Sequence, residues 1–131
     1  MSFGETTSAE IERVAHEIVD AAFKIHSKLG PGLLESAYQA FMTYELEKRG
    51  LAVASEVPLP VVYEDVRLDL GYRIDLIVND CVLVELKAVE KLHPIHEAQM
   101  LTYLKLTGKR LGLLVNFNTR LIKDGIKRMV L

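Results

Sequence analysis

The hydrophobic pattern of the chain changes from a helical to a strand-like period near residue 50. Before that point, apolar side chains recur every three or four positions, which predicts two helices. The first helix begins at a capping-box pattern formed by Thr7 and Glu10 and ends at Gly30-Pro31, and the second runs from about Leu33 to Arg49. The predicted apolar face of the first helix consists of Ile11, Val14, Ala15, Ile18, Ala22, Ile25 and Leu29, and that of the second consists of Leu34, Ala37, Tyr38, Phe41 and Tyr44.

Beyond residue 50 the apolar segments become short and rich in β-branched residues, which predicts strands. A third helix is predicted from Pro94 to Gly108, a buried strand over Arg110–Phe117, and a strand or short helix over Leu121–Val130. This order indicates an α/β fold, a mixed β-sheet flanked by helices, in a single domain over residues 1–131. The five strands before the third helix are predicted at Leu51–Val57, Leu59–Tyr63, Val66–Leu70, Tyr72–Val78 and Val82–Val89.

Composition narrows the class of protein. Half of the 131 residues are hydrophobic and 26% are charged, as in ordinary globular domains. No apolar run approaches the roughly 18 residues of a membrane span, and the single cysteine, Cys81, has no partner for an internal disulfide. We therefore expect a soluble, cytoplasmic protein without a membrane contact.

The formal net charge of −2 conceals an uneven distribution. Residues 1–104 carry 9 basic and 17 acidic side chains, whereas residues 105–131 carry 7 basic and 1 acidic. The basic segment would suit a face for phosphates, or it would simply be solvated, and charge alone does not separate these two interpretations.

Charged residues interrupt two segments that otherwise resemble buried strands. Asp75 lies in Tyr72–Val78, and Glu85 and Lys87 share one face of Val82–Val89. A two-residue turn between these strands would place Asp75 against the apolar face, whereas a three-residue turn would place it opposite Glu85. A one-residue slip reverses every side chain, so the hydrophobic pattern favours the three-residue turn. That register would also keep Ile74, Leu76 and Val78 on one apolar face with Val82, Val84 and Leu86.

Two adjacent carboxylates repel each other unless a cation lies between them. Mg²⁺ typically binds one or two carboxylates together with water and substrate phosphate. The neighbouring ammonium of Lys87 could orient a water molecule and stabilise the charge that develops on a phosphate under attack. The Asp75, Glu85 and Lys87 set therefore indicates metal-assisted phosphodiester hydrolysis, and the alternative is an ion pair within the sheet.

Three further polar residues are candidates for the same site. Gln99 and Tyr103 lie one turn apart on the third predicted helix, where they could hold a carboxylate, the attacking water or a phosphate. The alternative for this pair is a polar helix edge with a half-buried tyrosine. Glu35 lies beside the apolar face of the second helix, where it would either enter the site or complement the helix dipole.

Several motifs together resemble a known family. Gly32-Leu-Leu-Glu35-Ser-Ala-Tyr38 matches the G-x-x-E-x-x-Y signature of the small GxxExxY proteins, a group similar to the PD-(D/E)XK nuclease superfamily. Gln99-x-x-x-Tyr103 resembles the third motif of the RecB-like nucleases of that superfamily. The resemblance extends through Tyr72-Arg-Ile-Asp75, Val84-Glu85-Leu-Lys87-Ala, Gly112-Leu-Leu-Val-Asn116-Phe117 and Lys127-Arg128.

This resemblance implies an αβββαβ core with an extra N-terminal helix, and a strand hairpin that binds Mg²⁺, or Mn²⁺ in its place. It implies that Glu35, Asp75 and Glu85 are metal ligands, that Lys87 is the catalytic lysine, and that Gln99 and Tyr103 support catalysis. The expected substrate is a nucleic acid, DNA rather than RNA, and a homodimer would allow two domains to cut both strands of a duplex.

Two functions therefore remain open at the level of the sequence. The first is a Mg²⁺-dependent nuclease that hydrolyses phosphodiester bonds by metal-activated water. The second is a catalytically inactive nuclease-fold module that binds nucleic acid or a protein partner, which the small size and net acidity favour.

Overall fold

The computed structural model describes residues 6–131. Every predicted helix and strand is present there, and the terminal segment contains both predicted alternatives, a 3-10 turn (Ile122–Gly125) followed by a strand. The prediction of one domain also includes residues 1–5, which lie outside the described residues. The helices are α1 (Ser8–Leu29), α2 (Glu35–Lys48) and α3 (Pro94–Thr107), and the strands are β1 (Val53–Pro58), β2 (Val61–Tyr63), β3 (Val66–Leu68), β4 (Arg73–Val78), β5 (Val82–Lys87), β6 (Leu111–Asn116) and β7 (Ile126–Val130).

Five strands form one mixed sheet in the order β1-β4-β5-β6-β7. All neighbours are antiparallel except β5 and β6, which are parallel because α3 crosses over between them. Side chains of α1 and α2 pack on one face of the sheet and those of α3 on the other. The predicted αβββαβ core is confirmed as α2, β1, β4, β5, α3 and β6, with α1 as the extra helix.

Strands β2 and β3 form a separate two-stranded hairpin between β1 and β4 in the sequence. Its base is fixed by a hydrogen bond from the Leu59 N–H to the Tyr72 carbonyl at 2.8 Å. No strand ladder joins it to the main sheet within residues 6–131. The hairpin is therefore a lobe attached to the sheet at one end.

Helix α1 begins as its capping pattern predicts. The Glu10 N–H donates to the Thr7 hydroxyl at 3.2 Å, which satisfies one of the free amides of the first turn. The Glu10 carboxylate accepts from Arg13 and so does not close the box. Gly30 ends the helix at a φ of 67°. None of the helices in residues 6–131 is both long and apolar enough to cross a bilayer.

The buried face of α2 differs from the predicted one. Tyr38, Met42 and Leu46 are buried, whereas Leu34 and Tyr44 are 77% and 66% exposed. The difference arises because a charged residue, Glu45, occupies the face that packs against α1, where its carboxylate lies 2.6 Å from the Lys24 ammonium. Apolarity alone therefore identified Tyr38 as buried but missed Met42 and Leu46.

The apolar face of β4 changes sides within the strand. Leu76 and Val78 pack toward α1 and α2, as predicted, but Ile74 packs with Leu83 and Met100 on the α3 side. The expectation that Ile74 shares a face with Leu76 is therefore wrong. The change occurs at Asp75, where the β1–β4 pairing lapses opposite Glu56, whose φ is 52°. Pairing resumes in the same register at Val57–Ile74, so β4 changes faces at an unpaired position without an inserted residue.

Candidate active site

The β4–β5 hairpin has the predicted three-residue connection. Asn79 and Asp80 have φ values of 48° and 54°, and the Cys81 N–H donates to the Val78 carbonyl at 3.0 Å. Cys81 is then the extra residue, because the ladder resumes with Val82 opposite Val78. Asparagine and aspartate tolerate the left-handed region better than other non-glycine residues, which explains this turn.

Asp75 and Glu85 meet where the two strands of this hairpin separate. The ladder ends at Leu76–Val84, one position before them. There the Asp75 N–H donates to Glu85 Oε1 at 3.0 Å, and the Leu86 N–H donates to Asp75 Oδ2 at 2.8 Å. Each carboxylate thus accepts a backbone amide of the opposite strand, which fixes both acidic groups at the end of the ladder.

The two carboxylates are held in an environment that opposes their ionisation. Glu85 is only 6% exposed, and its pKa is raised to about 7 by burial first and by the charge of Asp75 second. Burial also raises the pKa of Asp75. The amide hydrogen bonds and the charge of Lys87 lower both pKa values but do not compensate fully.

Lys87 is the last residue of β5 and lies on the same face as Glu85. Its side chain is half-buried, and within residues 6–131 its ammonium forms no ion pair at 4 Å or closer. The Phe117 N–H donates to its carbonyl at 2.9 Å, so the backbone at Lys87 is tied to the end of β6. The ammonium is therefore near the carboxylates without being paired to one of them.

Asn116 fixes the segment that follows Lys87, a role that the sequence interpretation missed. Its side chain accepts the Val89 N–H at 3.1 Å and donates to the Val89 carbonyl at 2.9 Å. It also accepts the Asn118 N–H at 3.2 Å. The signal available in the sequence is an asparagine at the end of an apolar strand, and the structure shows that it is buried, with 2% of its surface exposed.

Glu35 approaches the same end of β5 from α2. It is the first residue of that helix and is exposed, and its Oε2 accepts the Ala88 N–H at 3.4 Å. The preceding loop is held by Tyr38, whose hydroxyl donates to the Gly30 carbonyl at 2.6 Å and accepts the Leu33 N–H at 3.2 Å. Glu35 is thus directed to the position just beyond Lys87.

The structure brings Asp75 and Glu85 together but leaves Glu35 at the edge of the pair. Across residues 6–131, no group of three or more histidine, cysteine, aspartate or glutamate side chains is close enough to hold a metal ion. Asp75 and Glu85 nevertheless fit a hard divalent cation, because both are oxygen donors and the charge of Asp75 opposes ionisation of the buried Glu85. Their ligand role remains a prediction, as does that of Glu35.

Gln99 and Tyr103 lie on the face of α3 that is turned toward the hairpin lobe. Tyr103 is 5% exposed, and burial raises its pKa, followed by the charges of Glu85, Tyr72 and Asp75. Gln99 is half-buried one turn earlier. Among the described residues, no hydrogen bond joins either side chain to Asp75 or Glu85. Tyr103 is therefore electrostatically coupled to the carboxylates, and the role of Gln99 remains a prediction.

A mixed sheet with helices on both faces and an Asp…Glu-x-Lys set at a strand hairpin defines a nuclease-like class of protein. The model of the PD-(D/E)XK nuclease superfamily matches residues 12–129, so the chain belongs to this superfamily. Its members are nucleases that generally use divalent metal ions and act on nucleic acids. The finer assignment to the GxxExxY proteins remains a prediction.

The chain is also similar to a solved structure, an alkaline exonuclease (LHK-Exo) from Laribacter hongkongensis. The two share 17% sequence identity, with a TM-score of 0.42, and the match covers 91% of this chain and 81% of the exonuclease chain. None of the curated proteins has a significantly similar sequence. The family assignment therefore rests on the superfamily match.

Proposed function

We propose that the protein is a metal-dependent nuclease that hydrolyses phosphodiester bonds in nucleic acids. The observation that carries the proposal is the Asp75–Glu85 pair, in which each carboxylate is fixed by an amide of the opposite strand. A buried glutamate beside a half-buried aspartate of the same charge is unfavourable for the fold alone, so their presence is best explained by a bound cation.

Asp75 and Glu85 would hold Mg²⁺, or Mn²⁺ in its place, and Glu35 would contribute from the edge. When bound, such an ion supplies a Lewis acid and an activated water for attack on phosphorus. Lys87 would position that water and stabilise the negative charge on the phosphate oxygens, because its ammonium is not paired to a carboxylate. Gln99 and Tyr103 would position the scissile phosphate from α3.

Three finer parts of the proposal rest on the sequence expectations alone. They are DNA rather than RNA as the substrate, the cytoplasm as the compartment, and a homodimer as the form that would cut both strands of a duplex. Light scattering of the purified protein, with and without a duplex, tests the assembly separately from the chemistry.

The decisive experiment is cleavage of labelled single- and double-stranded DNA and RNA in Mg²⁺ or Mn²⁺. We expect cleavage that EDTA abolishes, and Lys87→Ala should lower the rate about a hundredfold or more, because one charge-stabilising group is lost. Lys105→Ala removes the same charge from an exposed position of α3 and serves as the matched control, with an unchanged rate. Cleavage by Lys87→Ala at the rate of the unmodified protein would refute the role of this lysine.

A second candidate function is an inactive nuclease-fold module that binds nucleic acid or a protein partner. It is favoured by one observation, that Glu35 does not complete a three-carboxylate cluster within residues 6–131. Absence of cleavage in either metal, together with salt-dependent binding of nucleic acid, would support this module over the nuclease.

A further inference from the structure

A groove runs between the β2–β3 hairpin and α3, beside the candidate active site. Its volume is about 650 Å³, within the range typical of ligand sites. His96, Gln99 and Tyr103 line it, so its wall is continuous with the α3 face that approaches the carboxylates. A strand bound for cleavage at Asp75 and Glu85 would therefore extend into this groove.

The chemistry of the groove suits the faces of bases and not phosphates. Its lining includes no lysine, arginine, aspartate or glutamate among the described residues, and Leu68, Leu70 and Ile95 are 45%, 64% and 69% exposed. The ring of Tyr72, which is 43% exposed, offers an aromatic surface of the kind on which bases stack. An apolar surface of this extent is unfavourable in water unless it is covered.

The positively charged side chains lie outside this groove. Arg120 and Lys123 are exposed in the segment directly after β6, whose end lies beside Lys87 in the parallel β5–β6 pair. Lys87 and the segment after β6 thus carry positive charge, whereas the lobe side of α3 offers apolar surface. This division matches a polynucleotide, which has charged phosphates along one side and apolar base faces along the other.

We propose that this groove binds unpaired bases of a nucleic-acid strand, and that the nuclease acts on single-stranded segments. A duplex keeps its base faces stacked inside the helix, so an apolar groove can take them only from an unpaired strand. The inference rests on the proposed function, because the occupant is taken to be the strand that reaches the carboxylates.

The test measures binding of the whole protein in EDTA, where metal-dependent cleavage does not occur. The probes are a labelled single strand of DNA, the duplex of the same sequence, and a strand of the same length without bases. The double variant Leu68→Ser with Ile95→Ser makes the groove polar. Val62→Ser is the matched control, because Val62 lies on the same hairpin at similar exposure but points away from the groove.

We expect the double variant to bind the single strand about tenfold more weakly, the size of one lost base contact, with binding of the duplex and of the baseless strand unchanged. Val62→Ser should leave all three affinities unchanged. Equal losses for all three probes, or no loss for the single strand, would overturn the inference. Urea unfolding of each variant shows that the fold is retained.

The two proposals can fail independently. A protein that cleaves nothing but binds the single strand through the groove would refute the proposed nuclease and its action on single strands, and would leave base binding by the groove intact. If the enzyme is active but the two groove substitutions leave its affinity for the single strand unchanged, only base binding by the groove is refuted. The groove would then bind an apolar partner of another kind.

Discussion

The ring of Tyr38 stacks on the ring of Phe117, with 4.2 Å between centroids and 9° between planes. Both side chains are fully buried. Phe117 directly follows β6, and Tyr38 lies one turn after Glu35 in α2, so the stack joins the end of the sheet to the start of that helix. The position of Glu35 relative to the end of β5 is therefore set by aromatic packing at a distance from the carboxylates.

Tyr38→Phe should keep this stack and remove only the hydroxyl. The Gly30 carbonyl and the Leu33 N–H would each lose their hydrogen bond, so we expect a loss of about 1 kcal/mol in the free energy of unfolding. Urea unfolding measures this loss. Tyr44→Phe removes a hydroxyl from a ring that is 66% exposed, and it should change the unfolding free energy by less than about 0.5 kcal/mol.

The Glu85 carboxyl should give the metal-free protein an unusual pH dependence. Its pKa is about 7 in the folded protein against 4.5 in its unperturbed state, so the folded protein binds this proton more tightly. Its contribution to stability is therefore fully present below pH 4.5 and is lost as the pH rises through 7. The loss is on the order of 3 kcal/mol at neutral pH.

The measurement is urea unfolding in EDTA from pH 4 to 8, with Glu85→Gln beside the unmodified protein. The difference between the two curves isolates Glu85 from the carboxylates whose pKa values are lowered by arginine and lysine partners. Glu85→Gln should not show the loss of unfolding free energy that accompanies deprotonation of Glu85. Added Mg²⁺ should reduce the loss in the unmodified protein, because the metal binds the deprotonated carboxylates. Identical pH profiles for both proteins would contradict the prediction.

Asp75→Asn should lower the pKa of Glu85. The substitution removes the neighbouring negative charge, which is the second cause of the raised pKa, and its amide oxygen can still accept the Leu86 N–H. Burial, the first cause, remains, so the pKa should stay above 4.5. A carboxyl-carbon NMR titration in EDTA follows Glu85 directly, and an unchanged midpoint would show that the two groups are not coupled.

Gly112→Ala should destabilise the contact between α3 and β6. An added Cβ would lie 2.3 Å from Sδ of Met100, so this fully buried side chain would have to shift. We expect a loss of about 1–3 kcal/mol on urea unfolding. The double variant Gly112→Ala with Met100→Ala should lose less stability than the sum of the two single losses. The reason is that the new methyl group enters the space that Met100 vacates.

Gly125→Ala provides a comparison, because the atom nearest to its added methyl group would belong to the backbone and not to a side chain. Its added Cβ would lie 2.1 Å from the Asn116 carbonyl oxygen, a backbone atom that a change of rotamer cannot move. We expect this variant to be destabilised more than Gly112→Ala. The opposite order would show that the segment after β6 adapts more easily than a buried methionine does.

The register of the β4–β5 hairpin could be predicted, because the alternation of apolar residues is satisfied only when Asp75 and Glu85 lie opposite each other. The face of Ile74 could not, since the interruption of β1–β4 pairing at Glu56 and Asp75 leaves no trace in the alternation of β4. The face of α2 was only partly predicted, because a buried Glu45 paired with the exposed Lys24 does not look like a core position in the sequence. Local periodicity does not contain information about such long-range partners.

The same reason applies to the candidate site. Asp75, Glu85 and Lys87 stand out because charges in an apolar strand are unusual, and the strand period alone relates them to each other. Asn116 and the groove were missed because their importance depends on contacts between elements far apart in the chain. Leu68 and Ile95 in particular are ordinary apolar residues until the fold places them on opposite walls of one groove.

The β2–β3 hairpin is attached at its base through Leu59 and Tyr72 and joins no ladder of the main sheet among the described residues. It can therefore open as a local unit at a much smaller free energy than global unfolding. The opposite wall, α3, is anchored by buried Met100 and Leu104. A strand bound in the groove would therefore contact one wall that is packed into the core and one that is joined to the sheet only at its base.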